Sequence, residues 1–276
     1  MQPVWERIGE AHKYLEKFRG KTIVVKYGGD VGRDISTIAH DIAFLQKNGV
    51  RVAVVHGGGP QIDEAMAMAG LEPVKVKGHR VTDELTMNIV RSQSRKMRDE
   101  MVSLLRKHGV MAVGLGRKEG VVRVKQKDPE LGLVGAVSAI RAEPLRQLLA
   151  EGRVPVTSPI GVDAKGLPHN TNADEVASNL AVALGAARLI VLTNVTGVKS
   201  KEGSLIPTLS VSEAKGHIAD GTIHSGMIPK VEALIGAVEG GVEKAHMIDG
   251  TKPNALLNEL LTDRGVGTEI VLRKKR

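Results

Sequence analysis

The chain has 276 residues, 42% hydrophobic and 25% charged, enough for one large domain or two modest ones around a buried core. It contains no cysteine, which excludes a disulfide framework, a thiolate metal site and a cysteine nucleophile. The net charge of +8 comes from 39 basic against 31 acidic residues, and Arg273 to Arg276 at the end are all basic, so the body is only mildly basic and the tail reads as a solvated end.

No run of eighteen apolar residues occurs, so no membrane partner is expected, and the charged opening does not read as a secretory leader. A cytoplasmic location is the expectation. All the aromatics (Trp5, Tyr14, Phe18, Tyr27 and Phe44) fall within the first 44 residues. Modules that read single-stranded nucleic acid stack bases on aromatic side chains, so no nucleic-acid partner is expected.

Along the chain, Val4, Ile8, Ala11, Leu15 and Phe18 recur at steps of four and three, the seam of a helix that meets another helix. Gly9 interrupts the seam and predicts a bend. Residues 1–20 therefore read as an N-terminal helical arm, serving oligomerisation or regulation. Short β-branched runs follow at 22–25, 50–55, 111–115, 121–124, 154–157, 189–193, 246–249 and 269–272. Several are continuous apolar runs, as strands covered on both faces require. Between them, helical spacing marks segments around 35–45, 83–107, 143–151, 173–184 and 229–238. Strand and helix alternate at the rhythm of an α/β fold, an open three-layer αβα sandwich around a mostly parallel central sheet. Segments 116–142 and 161–172 read as hairpin or loop material. Gly185 precedes a fresh strand and places a boundary between a lobe at 21–185 and a second at 186–276.

Chemistry concentrates where apolar strands run out into glycines. His56-Gly57-Gly58-Gly59-Pro60 follows one strand and opens a helix; a tight turn needs one glycine, and three leave backbone N–H groups bare for an anion. Lys26-Tyr27-Gly28-Gly29-Asp30 ends another strand and adds a point positive charge. The carboxyl ends of strands are where open α/β sheets take their ligands. Gly78-His79-Arg80-Val81-Thr82-Asp83 offers a guanidinium fork beside a helix start, with Thr82 or Asp83 available as its cap. Asn170-Thr171-Asn172-Ala173-Asp174 has more polar groups than one cap requires. Lys230 falls in the first turn of a helix, the wrong end for a cation unless an anion binds there. Neither a Walker loop nor a dinucleotide fingerprint is present, and the histidines show no zinc spacing.

In their order, VKYGG, VVHGGGPQI, GHRVTD, NTNAD, VLTNVTGV and GTIHSGMIPK resemble the amino acid kinase family over about residues 12–271. Within it they are most similar to the branch acting on N-acetyl-L-glutamate in arginine biosynthesis. The resemblance implies an N-terminal lobe for the acyl amino acid, a C-terminal lobe for ATP, and phosphorylation of a side-chain carboxylate to an acyl phosphate. By motif, Lys26 and Lys230 resemble the lysines that stabilise the transition state, and Asp174 the aspartate that organises them. Gly58, Gly59, Arg80 and Asn170 resemble substrate contacts. Gly28 and Gly29 resemble the phosphate loop, while Asn194, Gly197, Lys199, Thr222 and His224 resemble the nucleotide edge. ATP and Mg²⁺ are the implied cofactors, with the metal held through the ATP phosphates and no protein ligands of its own. Tyr14, Glu259 and Gly267 resemble positions of an L-arginine inhibitor site, in members whose N-terminal helix joins dimers into a hexamer.

The chain departs from the pattern at Asn194, Asn254, Gly116-Arg117 and the stretch from Arg95 to Arg98. The added arginines leave open a kinase whose glutamate or aminoadipate substrate is attached to an acidic carrier protein. A non-catalytic amino-acid sensor of the same fold is the other alternative, although it would need none of Lys26, Asp174 and Lys230.

Overall fold

A strand buried on both faces sorts its side chains between two layers, and β1 (Thr22–Tyr27) does this at the centre of the molecule. Ile23, Val25 and Tyr27 enter one apolar cluster, while Val24 enters the other. Lys26 shares the side of Val24 by the same alternation. The computed structural model describes residues 3–32, 35–76 and 78–273. Met1 and Gln2 of the arm and residues 274–276 of the basic tail lie outside the described residues.

The elements run α1 (Val4–Phe18), β1, α2 (Ser36–Lys47), β2 (Arg51–His56), α3 (Gly59–Met68), β3 (Lys75–Val76), β4 (His79–Arg80), α4 (Glu84–Lys107) and β5 (Ala112–Leu115). Then come β6 (Val122–Gln126), β7 (Gly135–Ile140), α5 (Ala142–Ala150), β8 (Val154–Thr157), β9 (Ile160–Val162), β10 (Pro168–Asn170) and α6 (Ala173–Leu184). The chain closes with β11 (Arg188–Thr193), β12 (Thr208–Ser210), α7 (Val211–Ala219), α8 (Ile228–Glu239), β13 (Lys244–Asp249), α9 (Ala255–Leu261) and β14 (Thr268–Val271).

Eight strands form the central sheet in the order β12-β14-β13-β11-β1-β2-β8-β5. Every pair in it is parallel except β13 with β14. One face is covered by α2, α4 and α9, with Phe18 of α1; the other is covered by α5, α6, α7 and α8. The expected three-layer α/β sandwich is the observed one. β1 and β11 pair in parallel at the sheet's middle, so segments from both halves of the sequence meet there. Val24 and Val25 of β1 and Leu189 and Ile190 of β11 are fully buried, and each such side chain contributes roughly 1.5–3 kcal/mol of hydrophobic stabilisation.

The segments expected as hairpin or loop form a second sheet, β10-β9-β6-β7. The β3–β4 hairpin stands apart as a two-stranded sheet. Asp83 caps α4 by accepting from Thr86 N at 2.7 Å. The arm, α1, runs through Gly9 as one helix. Its C-terminal half docks through Ala11, Tyr14, Leu15 and Phe18, whereas Val4, Trp5 and Ile8 stand more than half exposed. Among the described residues no helix is long and apolar enough to cross a membrane.

Candidate active site

Three elements deliver charged groups to one point on the α6–α8 face of the sheet. Lys26, the penultimate residue of β1, is 3% exposed, and its Nζ lies 2.8 Å from Asp174 Oδ1. Asp174 is the second residue of α6, and the helix start is fixed by Asn172, whose side chain accepts from Asp174 N at 2.7 Å. Lys230, in the first turn of α8, brings its Nζ to 3.7 Å from Asp174 Oδ2. Burial alone would raise the Asp174 pKa, but the two ammonium groups outweigh it and hold the carboxyl below its usual range. Two cations thus share one anion. The surplus positive charge, at the open first turns of α6 and α8, is what an incoming anion needs.

Lys26 and Lys230 line a cleft of about 380 Å³ together with Gly28, Gly29, Gly58, Gly59, Arg80 and Asn170. The glycines serve different ends. Gly57 lets the two loops touch, because a Cβ there would lie 3.3 Å from Gly28 Cα. A Cβ on Gly58 would meet Met97 Sδ at 2.8 Å, whereas one on Gly59 would project into open space. Arg80, on β4, is buried and ion-paired with Asp63, and it donates to Gly59 O at 3.2 Å. Asn170, on β10, donates to Thr82 Oγ1 at 3.2 Å. All the residues expected to meet phosphate and acyl substrate therefore face one cavity.

The expected nucleotide edge lies outside that lining. Asn194 and Lys199 are exposed after β11, and Thr222 and His224 precede α8. Gly197, at φ +151°, approaches β14 too closely for a side chain, since a Cβ would meet the hydroxyl of Thr268. Tyr14, Glu259 and Gly267 line a separate cavity of about 170 Å³ between the arm and α9. There Glu259 contacts His246 Nδ1 at 2.6 Å and accepts from Val266 N and Gly267 N at 2.6 and 3.1 Å. Tyr14 donates to Asp263 at 2.6 Å, and that bond, with burial, pushes its pKa up to about 12.

Three further polar residues lie in or beside the cleft. Asp63 ties Arg80 and Lys75 together, and both cations hold its carboxyl below the usual range against the opposing effect of burial. Its partners lie 12 and 17 residues onward on the β3–β4 hairpin, so only the folded chain shows the cluster. His56 is fully buried, with Nδ1 3.0 Å from Gly57 O and Nε2 2.9 Å from Ser158 Oγ. A ring nitrogen facing a carbonyl must be the donor, so Nε2 accepts from the serine hydroxyl. Asp30 also lines the cleft. An acid directly after a glycine pair read as anion-binding was its visible signal.

Residues 21–249 match the amino acid kinase family. Acetylglutamate kinase from Nitrosospira multiformis is 42% identical over 277 residues, covering 95% of this chain and 94% of the relative. The enzyme of that name from Chromohalobacter salexigens is 41% identical, covering 97% and 93%. The chain belongs to the amino acid kinase family. As an amino acid kinase it is also similar in structure to N-acetylglutamate synthase from Neisseria gonorrhoeae, solved with coenzyme A and N-acetyl-glutamate, at a TM-score of 0.89 and 26% identity. The match covers 99% of this chain but 65% of the synthase. Carbamate kinase from Giardia lamblia, at 18% identity and a TM-score of 0.70 over 92% of this chain and 99% of that one, shares the amino acid kinase fold.

Proposed function

We propose that this chain is an N-acetylglutamate kinase, transferring the γ-phosphoryl group of ATP to the side-chain carboxylate of N-acetyl-L-glutamate. The observation that carries this reading is the meeting of Lys26 and Lys230, from the two halves of the sequence, on the one carboxylate of Asp174. The acceptor carboxylate is already ionised at neutral pH, so the reaction needs no general base. Its barrier is the approach of one anion to another, and the remedy is positioning with charge neutralisation. Asp174, held ionised between two ammonium groups, orients the lysines. Arg80 and Asn170 hold the substrate, with Gly58 and Gly59 offering backbone donors, and Gly28 and Gly29 sit beneath the transferring phosphate. The nucleotide reaches across to the edge formed by 194–199 and 222–224 in the C-terminal lobe.

The divalent metal of such a kinase supplies charge neutralisation on the phosphate oxygens, and the hard carboxylate oxygens of Asp30, held by the Thr193 hydroxyl, suit it. Arginine is the inhibitor in this reading, seated between Tyr14, Glu259 and Gly267. The exposed Val4, Trp5 and Ile8 of the arm join dimers into a larger ring. The test is ADP release with ATP, Mg²⁺ and free N-acetyl-L-glutamate, with hydroxylamine trapping of the acyl phosphate, repeated with arginine. Turnover of the free substrate is expected, and its absence overturns the reading.

A second reading has one observation in its favour. Arg91, Arg95, Arg98 and Arg117 line a single cavity of about 400 Å³ with Ser158, Asp99 and Glu119, a net basic surface suited to an acidic carrier that presents the substrate. Activity on a carrier-bound glutamate without activity on the free substrate would select it.

A further inference from the structure

The cleft contains an anion where another anion is meant to arrive. Asp30 follows the Gly28-Gly29 pair and shares the cavity wall with Lys26 and Lys230. Its Oδ2 accepts a 2.9 Å hydrogen bond from the Thr193 hydroxyl, which fixes the carboxylate between the C-terminal ends of β1 and β11. The other oxygen rests on Gly28: a Cβ at that position would collide with Oδ1 and lie 3.5 Å from Lys26 Nζ. Gly28 therefore leaves room for the Asp30 carboxylate as well as for a phosphate.

Among the described residues Asp30 makes no ion pair of its own, so it draws on the same surplus positive charge that an incoming phosphate needs. Lys26 and Lys230 are paired with Asp174, while Lys75 and Arg80 are paired with Asp63. A carboxylate fixed through one oxygen, with the second turned toward an ammonium that is already engaged, repels a polyphosphate unless a cation stands between them. Magnesium is held in this way, by one or two carboxylates together with substrate phosphates.

We propose that Asp30 is a protein contact for the divalent cation that accompanies the nucleotide, an inference that rests on the kinase reading above. Thr193 is its positioning residue. The carboxylate makes nucleotide binding conditional on the metal: it lowers affinity for the bare polyphosphate and raises it for the metal complex.

The test compares binding of the non-hydrolysable analogue adenylyl imidodiphosphate by calorimetry, in excess Mg²⁺ and in EDTA, for the full chain and for Asp30→Asn. The proposal expects Asp30→Asn to shrink the gain from Mg²⁺ by about tenfold or more, while the metal-free analogue binds several-fold more tightly than to the unaltered chain. Mn²⁺ titrated into the analogue complex and followed by electron paramagnetic resonance should bind about tenfold more weakly to the variant. Thr193→Val removes the hydrogen bond to Asp30 but keeps the charge, so it should retain most of the metal gain. If Asp30 merely staples β1 to β11, Thr193→Val weakens binding alike with and without metal, Asp30→Asn, whose amide oxygen still accepts from the Thr193 hydroxyl, leaves the gain from Mg²⁺ unchanged, and the proposal is overturned. A chain that binds the analogue under neither condition overturns the nucleotide reading itself.

Discussion

The side chains of Asp174 and Glu259 are both largely buried carboxylates held below the usual range, yet they belong to different kinds of site. Asp174 has two ammonium partners from separate elements and leaves positive charge over. Burial acts to raise the Glu259 pKa too, and is outweighed by His246 and by the N–H groups of Val266 and Gly267. Its lone pairs are taken by its own chain. The difference separates a place built to receive an opposite charge from one whose first effect is to fix a loop. It also bears on how each site fails. In the proposed reading, removing a cation at Asp174 costs chemistry, while disturbing the Glu259 pocket alters the placement of the 262–267 loop against the arm.

The largest effect is expected at Lys26. Lys26→Ala should lower turnover by two decades or more, the scale seen when one preorganised charge is removed from a developing anion. The apparent KM for N-acetyl-L-glutamate should change little, since the proposed reading gives that contact to Arg80 and Asn170. Steady-state ADP release checks it, and near-normal turnover would break the distinction between the two carboxylates.

Next comes His56, a fully buried titratable group beside Gly57 that stays neutral. Burial, its largest influence, lowers its pKa from 6.5 to about 4. Between those values the unfolded chain takes up a proton that the folded chain refuses, so stability falls as pH falls through this window. The slope is about 1.4 kcal/mol per pH unit, amounting to about 3 kcal/mol across it, and it levels off once the folded imidazole protonates. Urea unfolding at pH 7, 6 and 5 should show this slope, and His56→Gln should flatten it. An unchanged slope in the variant would mean that His56 is not the group responsible.

How much of this was legible in the sequence depends on the range of each signal. The apolar runs of β1 and β11 and the glycines beside them are local; they placed the sheet, and the structure brings the glycines to one cavity. Lys230 announced itself by occupying the wrong end of a helix. The helix α7 was missed, although Ser210 and Glu213 form a capping box. Its single turn or two of apolar residues (Val211 and Ala214 buried) gives little periodicity to read. Asp63 was invisible for a different reason: its value lies in two partners on a hairpin that no local pattern ties to α3. The bend expected at Gly9 also failed to appear, since a glycine weakens a helix by about 1 kcal/mol without obliging it to break.

A smaller change sharpens the comparison at Asp174 itself. Asp174→Asn keeps the side chain's shape and removes its charge. If the group only orients Lys26 and Lys230, turnover should fall by about tenfold and its pH profile should keep its form. A catalytic base in that position would cost far more, because the residual rate would reflect uncatalysed proton removal. The steady-state rate measured from pH 6 to 9 in both proteins decides between them.

The smallest effect belongs to the arm. Tyr14 joins α1 to Asp263 through one hydroxyl, and Glu10 reaches the backbone N–H of the same residue. Tyr14→Phe deletes one of these two ties and leaves the ring's packing near Phe18 in place. Stability should fall by only about 0.5–1.5 kcal/mol. The arginine inhibition proposed above should respond more clearly, with the half-inhibitory concentration rising several-fold, because Asp263 belongs to the loop that Glu259 holds at Val266 and Gly267. An arm that serves only assembly would give the opposite pattern: the oligomer measured by light scattering would change while the arginine response per active site stayed constant. The two outcomes separate a pocket that senses a ligand through the arm from a pocket that the arm merely covers.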